Sequence, residues 1–276
     1  MKKAMIIGMA AVLAVGTAIA QNDVVMVEQG GSDASRPEVT LEAALVSSHV
    51  WRGQVQNDDF VFQPQMTVSQ YGVSINVWAN LDLGKSYNGT QGDISEIDLS
   101  LAYTLPLDIN EMAFDIGLIN YHFAGNGDAG TAAPSTTELF ARATVLSWDD
   151  YVVPFIPSMT FFGDIDQVDG TYILFDVAFP YEISEYLVVE GGVSAGWGNT
   201  RYNDYYFGDP IGVGQNKGWN DYNFYGRVSY ELMDGLTAAA MIQYTLVEGG
   251  SIGDAADKIY EDDQKFFGGV GIAYDF

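Results

Sequence analysis

The sequence predicts an all-β chain, a transmembrane antiparallel up-and-down β-barrel of about 12 strands with short periplasmic turns and longer extracellular loops. Three observations predict it. Apolar and polar residues alternate with a period of two from Val39 onward; most alternating segments are ten to fourteen residues long; and the connections between them are alternately short and long. Such segments exceed the five or six residues usual for globular strands and approach the length of a tilted membrane-spanning strand.

The elements follow in chain order. Lys2 and Lys3 precede the apolar run from Ala4 to Val15, and Ala18-Ile19-Ala20 closes the segment, so residues 1–20 read as a secretory signal peptide. The run is shorter than the roughly 20 apolar residues a helical span needs. Residues 21–38, with Gly30, Gly31 and Pro37, read as a flexible periplasmic lead, and 39–276 as the barrel domain. The expected strands are 39–54, 60–70, 73–83, 94–105, 111–123, 135–147, 152–164, 171–180, 186–197, 219–232, 236–248 and 264–276. In Ser95 to Leu105, one parity carries Ile97, Leu99, Leu101 and Tyr103 and the other Glu96, Asp98, Ser100 and Thr104. Tyr71-Gly72 and Met233 to Gly235 are tight turns; 198–218 and 249–263 are long and rich in Gly, Asn and Asp. An even strand count with this alternation places both termini in the periplasm of a Gram-negative cell outer membrane.

Aromatics fall where two girdles are expected: Phe60, Phe161, Trp197, Tyr222 and Phe266 toward the long-loop rim, Tyr103, Phe114, Phe179, Tyr230 and Tyr274 toward the other. The last strand puts Phe266, Val270, Ile272, Tyr274 and the terminal Phe276 on one parity, similar to the signal by which such barrels are handed to their insertion machinery. Lipid and that machinery are therefore expected partners. A secreted soluble β-sandwich or cup is the competing architecture; it has no use for two belts.

Composition narrows function. With 37 Asp plus Glu, 11 Lys plus Arg and a formal charge of −26, the chain repels phosphate backbones, so nucleic acid is not an expected partner. The absence of cysteine removes disulfides, thiolate metal sites and cysteine nucleophiles. No cofactor is expected. If the apolar parity faces lipid, the lumen carries Glu42, Asp82, Glu96, Asp98, Asp115, Glu138, Asp176, Glu190, Asp221, Glu231 and Asp275 against Arg52, Arg142 and Arg227. A net-negative wall concentrates cations and repels anions. Alternatively, the same groups form a paired network filling the barrel.

Two weaker signals stand beside these. Asp164, Asp166 and Asp169, ending in Gly170, resemble a calcium loop, but the spacing is one residue off the EF-hand pattern and the terminal glutamate is missing. The stretch Tyr121 to Gly127 has a superficial likeness to the His-x-Ser-Asn-Gly segment of outer-membrane phospholipases, with Ala124 where the serine should be. In Ser48-His49, adjacent strand residues point to opposite faces, and both His49 and His122 fall on the outward or rim parity. No enzyme is expected.

The stretch from Ser47 to Asp82 carries a family resemblance. Trp51-Arg52-Gly53, Pro64, Gly72 and Trp78-Ala79-Asn80 follow in the order seen in the TorF porin family, while Gln54-Val55-Gln56 and Val73-Ser74 depart from it. The resemblance implies a porin-like outer-membrane barrel and names no substrate or catalytic residue. Within that frame Arg52 is expected at the outer end of the first strand, paired with Asp82 or Glu96, either bracing the mouth or touching solute. The expected function is passive diffusion of small polar or cationic solutes. The alternative is a closed structural or surface-binding barrel acting through its acidic loops, with the lead before Val39 or the arginines as a plug.

Overall fold

The computed structural model describes residues 36–84, 91–107, 109, 111–124, 134–146, 155–208 and 211–276. The expected signal peptide and nearly all of the expected lead lie outside the described residues.

Alternation of side chains across each strand generates the architecture. The strands are β1 (Glu38–Val46), β2 (His49–Trp51), β3 (Gln54–Asn57), β4 (Val61–Gln70), β5 (Val73–Asp82), β6 (Ile94–Thr104) and β7 (Met112–Phe123). There follow β8 (Thr136–Val145), β9 (Ile156–Asp164), β10 (Thr171–Ser184), β11 (Leu187–Gly198), β12 (Gly218–Met233), β13 (Leu236–Val247) and β14 (Gln264–Asp275). A short helix α1 (Thr200–Asn203) continues into a π-helical turn (Asp204–Gly208), and helix α2 (Ser251–Ile259) precedes β14. All strands except β2 and β3 join one closed antiparallel barrel of 12 strands in meander order, sealed by β1 pairing with both β14 and β4. Closure leaves no unpaired edge, which a bilayer requires of any sheet that crosses it.

The barrel is inside out relative to a soluble protein. Ile75, Ile242 and Val270 on the outer surface keep 54%, 56% and 57% of their area exposed, while Gln63, Asn76, Asn80 and Glu138 inside are buried. Phe60, Phe161 and Phe266 are exposed near the long-loop end, and Tyr103, Phe179, Tyr230 and Tyr274 near the short-turn end, forming the expected girdles. The apolar cluster that exists inside is confined mainly to the long-loop end, where Tyr121, Phe140, Phe162 and Tyr172 meet Val50, Val55, Tyr202 and Phe207.

Strand boundaries agree with the sequence reading within a few residues except at the start. The first strand does not run to residue 54: β1 stops at Val46 and the chain leaves the wall as a separate β2–β3 hairpin. Its alternation is genuine, but the face it satisfies is the interior rather than lipid. Helices α1 and α2 were not anticipated, being too short for their periodicity to stand out within Gly- and Asp-rich segments.

A caged arginine above a polar lumen

The hairpin is built to turn inward. At its tip Arg52 and Gly53 have φ of 47° and 82°, positive at both central positions as tight hairpin turns require. Gly53 is needed for space as well. A Cβ there would lie 2.9 Å from the Asp221 Cβ on β12 and 3.1 Å from Val247 on β13. At the base, the Ser48 hydroxyl donates to the Asn57 carbonyl (2.6 Å), and Asn57 Nδ2 donates to Asp82 Oδ1 on β5 (2.7 Å). Asn80 and Ser95 donate to the same Asp82 oxygen at 2.9 and 3.2 Å.

The tip delivers Arg52 to the opposite wall. Its guanidinium makes a bidentate pair with Glu138 of β8, at 2.8 and 2.7 Å, and Nη2 lies 3.3 Å from the Tyr121 hydroxyl, which itself donates to Glu138 at 3.0 Å. Aromatic faces surround the cation: Trp51, Phe162 and Tyr172 lie 4.4, 4.2 and 4.5 Å from the guanidinium carbon, Tyr202 6.0 Å. The Arg52 and Glu138 side chains are only 5% and 2% exposed. A fork-to-fork pair with cation–π neighbours is the arrangement that tolerates such burial. Arg52 therefore pairs with Glu138, where the sequence suggested Asp82 or Glu96. Its place at a hairpin tip, rather than on the first wall strand, carries it past those nearer strands.

A second layer closes over this cage. Asn199 caps α1 by accepting from the Tyr202 backbone N–H (2.9 Å), and the Tyr202 ring packs, tilted, 5.2 Å from Tyr172 and 4.7 Å from Tyr206. Asn203 is held by Asn220 and by the Asn216 carbonyl. From the far loop, the Tyr260 hydroxyl lies 2.8 Å from Gln54 Oε1 on the hairpin and 2.9 Å from the Tyr206 carbonyl. Burial pushes the Tyr202 and Tyr206 phenols well above their ordinary value, so both remain neutral.

Deeper, the wall carries a different network. Arg227 of β12 donates to its cross-strand neighbour Glu190 of β11 at 3.0 Å and lies over the Tyr225 ring at 4.5 Å. Tyr225 reaches Asp176 of β10 at 3.0 Å, Arg142 Nε donates to Thr160 at 3.2 Å, and Thr104 donates to Asp115 at 2.6 Å. Tyr225 fits because residue 192 is glycine: a Cβ there would sit 2.0 Å from the ring. Asp98, Ser100, Asp176, Ser194 and Tyr225 on the interior parity are half-buried, unlike the sealed cage above them.

The sequence-predicted residues thus divide into levels. Arg52, Glu138 and Asp221 meet in the cage; Asp82 and Glu96 lie at the hairpin base; Asp98, Asp115, Arg142, Asp176, Glu190 and Arg227 occupy the lumen below. His49 is not on the outward parity: it is buried in β2, 5.5 Å from the Trp78 ring and 3.8 Å from Glu96. Burial pushes its imidazole down to about 4, so at neutral pH the Glu96 contact is not an ion pair. His122 is outward and meets Ser135. The loop that resembles a calcium site is held by its own backbone. Asp164 Oδ1 accepts the backbone N–H groups of Asp166, Val168 and Asp169, and Asp169 pairs with Arg201. Among the described residues no group of three or more acids or histidines is placed to hold a metal ion. Parity places Tyr225 on the interior of its strand, but sequence reasoning missed the lumenal aromatics Tyr121 and Tyr172. A signal for Tyr172 lay in Gly196 on the inner parity of β11, which leaves it room, as Gly192 does for Tyr225.

The fold has known counterparts. The chain resembles the KdgM porin (9% identity, 86% of this chain and 99% of that one, TM-score 0.52) and LpxR from Salmonella typhimurium (7%, 85% and 99%, TM-score 0.51). It also resembles the NanC porin (12%, 86% and 98%, TM-score 0.50). At these identities the likeness is one of fold. Curated proteins provide no match. A family model covers residues 30–221, so the chain belongs to the Gcw_chp family, described as bacterial proteins of unknown function.

Proposed function

We propose that the protein is an outer-membrane, porin-like channel for passive diffusion of small polar or cationic solutes, with no catalytic role. The observation that carries this reading is the half-buried, acid-containing lumen at Asp98 and Asp176 inside a barrel whose outer surface is apolar. Water that reaches such a wall meets carboxylates positioned to favour cations over anions. The lumenal residues named above are the proposed pore lining. The fold likeness to porins, the TorF-like stretch around Trp51-Arg52-Gly53 and the C-terminal aromatic strand support the outer membrane as its location, with lipid and the insertion machinery as partners.

A second reading has its own support. The hairpin, α1 and α2 fill the outer mouth with buried side chains, as a closed surface-binding barrel would. Planar-bilayer recording of the refolded protein, with reversal potential under a KCl gradient, separates the two. Discrete steps with a cation-selective reversal are expected. Silence from folded, inserted protein, both intact and with the 47–59 hairpin shortened, would overturn the channel reading in favour of the closed one.

A further inference from the structure

The cage around Arg52 is mostly built by the barrel wall, not by the hairpin that enters it. Glu138 comes from β8, Tyr121 from β7, Phe162 from β9, Tyr172 from β10 and Asp221 from β12. Trp51 is the hairpin's own contribution among the rings closest to the guanidinium. The wall therefore presents a carboxylate with both oxygens aimed at one planar cation, two aromatic faces at 4.2 and 4.5 Å, and a second carboxylate whose Oδ1 is oriented by the Tyr172 hydroxyl at 2.8 Å. These are the elements by which proteins recognise guanidinium groups: a fork for bidentate hydrogen bonding and π faces for a weakly hydrated plane.

We propose that the pocket formed by Glu138, Tyr121, Phe162, Tyr172 and Asp221 is a binding site for solutes bearing a guanidinium group, held in this structure by the chain's own Arg52 acting as a tethered mimic. A solute of this class displaces Arg52 by filling the same pocket, and the hairpin tip then loses its anchor on β8. Arg52 and Gly53 occupy a tight turn whose positive φ at residue 52 a non-glycine residue adopts only at a cost, which lowers the cost of releasing the tip. The site rests on the channel reading for its place on a solute path, and it names guanidinium compounds as a solute class for that path.

The test is calorimetric titration of ethylguanidinium into the refolded full chain in detergent micelles. The wild type is compared with Arg52→Ala and with Arg52→Asn, the latter preserving a residue that tolerates positive φ. Both variants are expected to bind ethylguanidinium saturably at one site and at least about tenfold tighter than the wild type. Arg52 lowers the apparent affinity by the fraction of molecules in which it vacates the pocket. Ethylammonium, which lacks the fork, is expected to bind more weakly, and adding Glu138→Gln to either variant is expected to abolish the difference between the two cations. Absence of saturable binding in a folded Arg52 variant, or binding unchanged by Glu138→Gln, overturns the proposal. Conductance is scored separately: binding by a protein that never conducts refutes the channel and keeps the site, whereas conduction without binding does the reverse.

Discussion

Two arginines inside the barrel meet carboxylates in different ways. Arg227 and Glu190 are direct cross-strand neighbours on β12 and β11, so strand register alone brings them together, through a single hydrogen bond at 3.0 Å. Arg52 and Glu138 are 86 residues apart, on a hairpin tip and the opposite wall, and meet bidentately inside an aromatic cage. The first pair reinforces a wall that would stand without it; its side chains are 9% and 5% exposed, beside half-buried Asp176 and Tyr225. The second clamps a hairpin across the lumen in a place with little access to water. A buried pair of the second sort specifies position more than it adds net stability, and its cost appears when one partner is removed.

The sharpest way to break this comparison is to remove each carboxylate. Glu138→Ala strands a buried guanidinium and is expected to cost about 3–5 kcal/mol. Glu190→Ala removes a pair joined by one hydrogen bond rather than two, leaves Arg227 on the Tyr225 face, and should cost about 1–3 kcal/mol. Denaturant unfolding of both variants in the same micelles checks the order; equal losses would show that the bidentate hairpin pair holds no more than the single-bonded wall pair.

Next in size is a change in the glycine that admits Tyr225. Gly192→Val drives a side chain into the Tyr225 ring and is expected to cost roughly 1–3 kcal/mol. It should also alter reversal potential by moving the ring off Asp176 and Arg227, as bilayer recording would reveal. Gly53→Ala addresses the outer region alone: positive φ and the 2.9 Å approach to Asp221 make a methyl costly, by about 1–2 kcal/mol. Its distinguishing result is a larger conductance with unchanged ion selectivity, since the hairpin is unseated and the lower wall left intact.

The smallest effect distinguishes the hairpin base from the lumen by pH. His49 binds a proton in the unfolded chain near its ordinary 6.5, but in the folded protein only near 4. The unfolded state thus holds more protons between those values, so the neutral imidazole's contribution is complete above about 6.5 and is lost as pH falls toward 4. The wild type should lose on the order of 1–2 kcal/mol more than His49→Phe between pH 7 and pH 5, measured by unfolding at both. Parallel pH profiles of the two proteins would rule this out.

Much of the lower region could be read without coordinates. Asp98, Asp176, Glu190 and Arg227 were placed on the interior because a strand assigns each residue a face by parity, and parity is local. The same locality makes the hairpin indistinguishable from an extension of the first strand: Val50, Val55 and their neighbours alternate just as a wall strand does, and nothing local says which surface an alternating segment meets. The helices over 200–203 and 251–259 were missed because a few residues of helix leave little periodic trace.

The sequence by itself therefore determined the barrel, its 12 wall strands, the aromatic girdles and the acidic character of the interior, all consequences of a period-two pattern and of the turns between its segments. The tertiary structure decided that residues 47–60 leave the wall, that Arg52 reaches Glu138, and that Tyr172 and Tyr202 close around it. Those contacts join segments tens of residues apart. Only closure of the barrel fixes which walls face one another, and so which carboxylate an inward-turned arginine will find.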